Sequence, residues 1–325
     1  MKATIRETYG GPEVLEVRDV VAPHVAAGEV LIEVAAASLN AADIHLLRGT
    51  PLPARLAFGL RKPKRPGMGA DVAGRVSAVG AQVTEFKVGD RVFGDLSGAG
   101  FGAFAEKVAA PASVLAQVPE GVPYEHAAAS GMAAVTALQA LRGKQNRGFR
   151  LDGQHVFVTG ASGGVGSFAV QLAKALGARV TALTSAANAQ KVEAIGADTV
   201  ILRDSGVQAN PERYDLILEA GGYAPVRQTL RLLKPGGRYV FVGGGDNQLM
   251  TALLLGKSML AKPDKQDLEQ VAALLAEGKV RPLIGATLPL DQVAEGVRLF
   301  EGGDAAGKIV FQHAGLNTPA AVGRK

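Results

Sequence analysis

The feature that most constrains this chain is an apolar run that stops at a cluster of glycines. Residues 155–160 read His-Val-Phe-Val-Thr-Gly, a strand of the fully buried kind. Ala161-Ser162-Gly163-Gly164-Val165-Gly166 comes next, and an apolar stretch to residue 176 has the composition of a helix. Such a turn lets bare backbone amides at a helix N-terminus approach a diphosphate, helped by the partial positive charge of the helix end. The candidate contacts are Gly160, Ser162, Gly163, Gly164, Val165 and Gly166, and Gly166 also lets the helix pack closely on the sheet. The G-x-G-x-x-G frame is imperfect, because Ala161 stands in its first position. The continuation supports it nonetheless. Strands are expected at 179–184, 199–202, 214–219 and 238–242, with helices at 188–195 and 227–233. Strands alternating with helices predict right-handed crossovers and a parallel sheet. Gly243, just past the last of these strands, joins the candidate cofactor contacts.

The remainder reads differently. In residues 1–120, Val30, Ile32 and Val34 alternate with Leu31, Glu33 and Ala35, and Val72, Val76 and Val79 lie in another extended stretch. Frequent turn signals between such runs fit an antiparallel, partly open barrel. The rhythm changes near residue 124, where the Ala- and Leu-rich segment 125–142 predicts a helix. After residue 257 a strand is expected at 258–261, helices at 267–277 and 291–301, and a closing strand at 308–312. A chain of 325 residues exceeds what one core usually organises, so two domains are expected.

The end of the second strand of the alternating region decides between NADH and NADPH. A carboxylate there accepts from a ribose 2′-hydroxyl and repels a 2′-phosphate. This chain has Leu183-Thr184-Ser185-Ala186-Ala187-Asn188, with no acid. Ser185 and Asn188 can donate to a phosphate. Lys191 lies one turn further on, and Arg203 comes after the third strand; each is either a phosphate contact or a solvated surface residue. NADPH is the expected cofactor.

Composition closes off several alternatives. There is no cysteine, which excludes disulfides, thiolate zinc and a thiol nucleophile, and the five histidines are scattered without metal-ligand spacing. No metal site is expected. The net charge of +5 is weak ground for nucleic-acid binding. No apolar stretch reaches membrane-spanning length and the N-terminus lacks a signal-peptide core, so a cytoplasmic location is the default. The basic run Arg61-Lys62-Pro63-Lys64-Arg65 is either a solvated loop or a rim that attracts phosphates or acidic substrates. The apolar segment 52–60 either lines the substrate pocket or packs on a partner.

The motifs taken together resemble a known family. Tyr9-Gly10-Gly11-Pro12-Glu13-Val14-Leu15, the stretches Ser38–His45, Gly69–Val76 and Val88–Gly94, Gly102-Ala103-Phe104-Ala105-Glu106, the glycine cluster, Leu233-Lys234-Pro235-Gly236-Gly237 and Gly307-Lys308 are the carriers. The chain resembles the zinc-free medium-chain dehydrogenase/reductases, in their NADPH-dependent quinone oxidoreductase-like branch, over essentially its whole length. The resemblance implies an α/β protein with a GroES-like, partly open β-barrel catalytic domain (1–124 and 263–325) and a Rossmann doubly wound parallel-sheet domain (125–262). It also implies a homodimer. Zinc-dependent relatives carry Cys where Asn40 stands and Gly-His-Glu where Gly69-Ala70-Asp71 stands. Near relatives often have Arg where this chain has Ala187, and Tyr where it has Arg203, so Arg203 is a candidate substitute in phosphate binding.

Without zinc to polarise an alcohol oxygen, a reduced nicotinamide needs an acceptor that is already electron-poor, such as a quinone or an α,β-unsaturated carbonyl. The expected partner is therefore a small molecule of that kind. The candidate catalytic residues are Asn40, Asp43 and His45. Asn40, whose position faces the nicotinamide in the family, either donates to the carbonyl or holds the cofactor. Asp43 either orients a neighbour or caps a helix. His45 either delivers a proton or sits on the site's rim. Asp71 and Arg91 read as a structural ion pair. Lys308 either contacts the cofactor or lies on the surface, and Thr136 falls on the helix that the family sets beside the nicotinamide. A zinc-free alcohol or aldehyde reductase, a non-catalytic NADPH-binding sensor or scaffold, and an RNA-binding protein are the competing readings.

Overall fold

The computed structural model describes residues 1–145, 147–207, 212–243, 246–303 and 305–313, with residues 246 and 247 as backbone only. Along the chain, β1 (Lys2–Ile5), β2 (Glu16–Asp19) and β3 (Glu29–Ser38) precede the short helices α1 (Ala41–Arg48) and α2 (Arg55–Phe58). Then β4 (Asp71–Val79), β5 (Arg91–Asp95), β6 (Lys107–Pro111) and β7 (Leu115–Gln117) lead into the long helix α3 (Tyr124–Arg142). Next come β8 (His155–Thr159), α4 (Gly164–Ala175), β9 (Arg179–Thr184), α5 (Ala189–Ala194), β10 (Thr199–Leu202), β11 (Tyr214–Glu219), α6 (Val226–Leu230), β12 (Leu233–Phe241) and α7 (Asp246–Leu254). The described chain closes with α8 (Lys265–Ala276), β13 (Ile284–Pro289), α9 (Val293–Gly302) and β14 (Lys308–Gln312).

These elements form two compact units. The first comprises Met1–Met132, Pro263–Ala276 and the chain from Ile284 on; the second comprises Ala133–Lys262 and Glu277–Leu283. The expected division after residue 124 therefore falls later, after Met132, and residues 277–283 pass to the second unit. Both shifts have local causes. The Met132 N–H donates to Asp71 Oδ1 at 2.7 Å, which ties the first half of α3 to β4. The Gln171 amide donates to Arg281 O at 2.9 Å and accepts from Arg281 N at 2.8 Å, which ties 277–283 to α4.

In the second unit the sheet runs β10-β9-β8-β11-β12, every pair parallel, as the alternation predicts. The order reverses between β8 and β11, where open parallel sheets place their ligand crevice at the strands' carboxyl ends. Its core gathers Phe157, Leu183, Tyr214, Ile217 and Phe241, with Phe157 and Tyr214 stacked at 4.7 Å. Two expected elements differ. Helix 227–233 stops at Leu230, because Leu233 already pairs with Tyr214 and opens β12. The strand expected at 258–261 reduces to one bridge, Phe241 to Ser258. Leu260 is 91% exposed, and Pro263 offers no N–H with which to continue a ladder.

In the first unit a seven-stranded sheet has the order β13-β14-β3-β4-β5-β7, with β6 also on β3. Only β13–β14 is parallel. Val30, Ile32 and Val34 are all fully buried, as their alternation predicts. They join Val72, Val92 and Phe104 in one core, where Phe104 meets Phe311 edge-on at 5.1 Å. β3 is the strand that positions the polar groups of this unit, because β14 and β4 flank its last residue, Ser38.

Candidate functional site

Each unit carries one cluster of functional groups. In the second unit the chain leaves β8 through Gly160, whose φ of +62° suits glycine, and whose added Cβ would lie 2.7 Å from Gly221 N. Gly163 N–H donates to Gly160 O at 2.9 Å and Ser167 N–H to Gly163 O at 3.0 Å, so α4 begins at once. The first-turn amides of Gly164, Val165 and Gly166 have no intrahelical acceptor. A Cβ on Gly166 would stand 2.1 Å from Gly160 O, so this cradle exists only with glycine there. Unscreened amides at a helix N-terminus fit a diphosphate.

The end of β9 lies against this turn. Thr184 Oγ1 is 3.0 Å from Ser162 Oγ, and Asn188 Nδ2 is 3.4 Å from Ser162 Oγ and 3.3 Å from Ser185 Oγ. Ser162, Ser185 and Asn188 are thus brought together, and Thr184 joins them. All four are neutral and carry a hydroxyl or an amide donor, which fits a 2′-phosphate better than a carboxylate would. Lys191 is exposed on α5. Arg203 is also exposed, and its guanidinium lies 4.9 Å over the ring of Tyr223 rather than against Ser185 or Asn188. Gly243 comes after β12, beside Ala220. Thr136 is buried within α3.

Glu219 carries no motif that would single it out from sequence. It is fully buried at the end of β11, and its Oε1 accepts from Thr159 Oγ1, from Gly222 N at 2.7 Å and from Gly221 N at 3.3 Å. Its Oε2 has no partner among the described residues. Burial raises its carboxyl above the ordinary glutamate value, against the pull of those donors. Glu219 therefore fixes the glycine turn after β11 against the one after β8, at the point where the strand order reverses.

In the first unit, β3, β4 and β14 bring Ser38, Asp71 and Lys308 side by side. Asp71 Oδ2 accepts from Ser38 Oγ at 2.7 Å, Asn40 Nδ2 at 2.8 Å and Lys308 Nζ at 3.2 Å. Lys308 Nζ also donates to Asn40 Oδ1. An ammonium only donates and a carboxylate only accepts, so the Asn40 amide can be oriented in one way. The second proton of Asn40 Nδ2 points to Ser38 O at 3.4 Å. Lys308 is 3% exposed, which settles against the surface alternative for it.

The cluster reaches into α3 as well. Ser38 Oγ lies 3.1 Å from Ala128 O, and Asp71 Oδ1 takes the N–H of Met132. In a regular helix those two backbone groups would bond each other. A Cβ on Gly131 would stand 2.5 Å from Asp71 Oδ1, so glycine is needed for this approach.

The expected Asp71–Arg91 ion pair does not form. In the β4–β5 register Asp71 faces Asp95 and Arg75 faces Arg91, which puts Arg91 at the far end of the ladder. Arg91 instead donates to the carbonyls of Pro119 and Val122 and stacks 4.5 Å over Tyr124.

Asp43 caps α1: its Oδ2 accepts from Asn40 N at 2.9 Å. Its Oδ1 has no partner among the described residues. Burial pushes its carboxyl up to about 7, the Asn40 N–H pulls it down, and Asp71 adds to the rise. Asp95 is likewise pushed up to about 6 by burial and by Asp71. His45 is half-buried, with Nδ1 3.4 Å from Thr50 Oγ1.

Comparison with known proteins agrees with this architecture. Residues 26–120 match the alcohol dehydrogenase GroES-like domain, and residues 195–311 match the zinc-binding dehydrogenase family. The chloroplast envelope quinone oxidoreductase homolog of Arabidopsis thaliana is 34% identical, over 96% of this chain and 98% of its own length. An NADPH-dependent alkenal/one oxidoreductase of the same plant's chloroplast is 29% identical, over 95% and 79%. Among solved structures, the quinone oxidoreductase of Coxiella burnetii superimposes with a TM-score of 0.83 at 28% identity, covering 96% of this chain and 99% of that one. No helix among the described residues is long and apolar enough to cross a membrane.

Proposed function

Given that the chain belongs to the quinone oxidoreductase branch of the medium-chain dehydrogenase/reductases, we propose that it is an NADPH-dependent reductase of quinones or α,β-unsaturated carbonyls, working without zinc. An oxidoreductase role comes with the family; the cofactor, the acceptor and the absence of metal are what we add. The observation that carries the proposal is the buried Asn40–Lys308–Asp71 network. Where zinc-dependent relatives carry Cys and Gly-His-Glu, this chain has Asn40 and Gly69-Ala70-Asp71, and the Lys308 ammonium lies beside Asn40 and Asp71. An ammonium among the donors repels a dication, and no group of three metal-ligating side chains occurs among the described residues. A conjugated acceptor needs no such metal, because its own π-system carries the incoming charge to oxygen.

NADPH, when bound, supplies the hydride. The Gly160–Gly166 turn would hold its diphosphate, and the hydroxyls and amide at the end of β9 its 2′-phosphate. Asn40 is held by Lys308 and Asp71 with its amide in a fixed orientation. Its 3.4 Å contact to Ser38 O is its weakest, and is the one it can exchange for a substrate oxygen. Lys308 lowers the cost of negative charge near that oxygen. His45 is the proton source, and Asp43 sets the start of α1 from which Asn40 projects. The homodimer expected from the resemblance is part of the same proposal.

The test is a panel of quinones and 2-alkenals, each matched with its saturated aldehyde, offered with NADPH or NADH while the reduced-nicotinamide absorbance is recorded. Oxidation of NADPH by the conjugated acceptors and not by the saturated aldehydes supports the proposal. Reduction of the saturated aldehydes, or NADPH binding without turnover on any acceptor, overturns it.

A further inference from the structure

A cavity in the first unit has a chemistry that the Asn40–Lys308–Asp71 network does not use. It encloses about 410 Å³, and its lining includes Arg6, Leu46, Phe58, Lys64, Arg65 and Phe101. Arg6 comes just after β1 and is 1% exposed. Its Nη2 donates to Leu46 O at 3.1 Å, at the C-terminal end of α1. Its Nε and Nη1 have no hydrogen-bond partner among the described residues. Burial pulls the guanidinium below the ordinary arginine value, and no carboxylate among the described residues forms an ion pair with it. The Tyr9 ring, 5.9 Å from the guanidinium carbon, and the nearby Asp43 carboxyl offset only part of this buried charge, and an anion brought close to it recovers more of the lost solvation. Lys64 and Arg65, from the basic run, supply two exposed cations on the rim of the same cavity. Phe58 and Phe101 meet edge-on at 6.3 Å and add apolar walls.

We propose that this cavity is a subsite for an organic anion, a carboxylate or phosphate on an apolar or flat body, seated over Arg6 between Lys64 and Arg65. Resting on the reductase function, the anion is the acid group of the acceptor itself. Leu46 lies six residues beyond Asn40 along α1, about 9 Å of helical rise. The acid is therefore remote from the reducible carbonyl, and the favoured acceptors are conjugated carbonyl compounds that carry a distant acid.

Titration calorimetry with benzoate, phenyl phosphate and neutral benzamide tests this directly, on the wild type, on Arg6→Met and on the double variant Lys64→Ala, Arg65→Ala. The wild type is expected to bind at least one of the two anions about tenfold more tightly than benzamide, and the preferred anion tells carboxylate from phosphate. Both variants should lose that preference, and added salt should weaken it. Should Arg6→Met fail to fold, the rim variant alone decides. No preference for either anion over benzamide, or a preference that survives in the rim variant, overturns the subsite. The binding readout needs no turnover, so failure of the reductase proposal and failure of the subsite remain separable. A kinetic comparison of an acid-bearing enone with its methyl ester then asks whether the bound anion belongs to the acceptor: a lower KM for the acid supports this, and equal KM values contradict it.

Discussion

Lys308 Nζ and Asn40 Oδ1 are hydrogen-bonded although 268 positions separate them in the sequence. The contact exists because β14 pairs with β3 and delivers the first residue of one strand to the end of the other. Removing the ammonium leaves Asp71, which is fully buried, without a counter-charge. Breaking a buried pair from one side costs about 3–5 kcal/mol. Lys308→Met is therefore expected to lower the denaturation midpoint clearly in urea, and an unchanged midpoint would show that the pair contributes nothing to the fold.

Asn40→Ala separates chemistry from cofactor binding. The variant loses the oriented amide but leaves the glycine turn intact. Turnover is expected to fall about tenfold to hundredfold while NADPH affinity changes by less than about twofold. An unchanged kcat would remove Asn40 from the catalytic groups.

Asp43 makes stability depend on pH. The native state keeps its proton up to about 7, whereas the unfolded chain releases it near the ordinary aspartate value of 3.8. Between those values the native state binds more protons, so this contribution is complete below about pH 4 and is lost as pH rises toward 7. Asp43→Asn keeps an oxygen to accept from Asn40 N and never ionises. It is expected to melt a few degrees higher than wild type at pH 8, with the gap closing toward pH 4. A gap that is constant with pH contradicts a raised Asp43.

The alternating half of the chain is readable in sequence because its signals are local. Strands 179–184, 199–202 and 214–219 form with the bounds that their apolar runs predict, and so does the closing strand 308–312 of the other unit. Strand β13 and helix α7 escape such a reading. β13 is interrupted by Gly285 and half-exposed, so its pattern is faint, and α7 begins just past a glycine run that hides its start. Among site residues, Ser162, Ser185 and Asn188 can be inferred from their position in a motif. Ser38 and Glu219 cannot, because what makes them notable is which strand lies beside them. The pairing of Asp71 with Arg91 fails for the same reason: proximity of two motifs in sequence says nothing about the register of an antiparallel pair, and that register sets Asp71 against Asp95.

The proposed preference for NADPH rests on the neutral end of β9. Ser185→Asp places a carboxylate among Ser162, Thr184 and Asn188. The ratio of kcat/KM for NADPH to that for NADH is expected to fall at least about tenfold through repulsion of the 2′-phosphate. A ratio that does not move means the phosphate is held elsewhere, with Arg203 the next residue to replace.

The proposed reductase requires a dinucleotide seated over the amides between Gly160 and Gly166. Fluorescence titration of NADPH into the wild type and into Gly166→Ala, with melting curves to verify that the variant is folded, addresses this most directly. Saturable binding by the wild type and at least about hundredfold weaker binding by the folded variant is the predicted result, because the added methyl would stand 2.1 Å from Gly160 O. Equal binding by the two proteins, or none by the wild type, would contradict it.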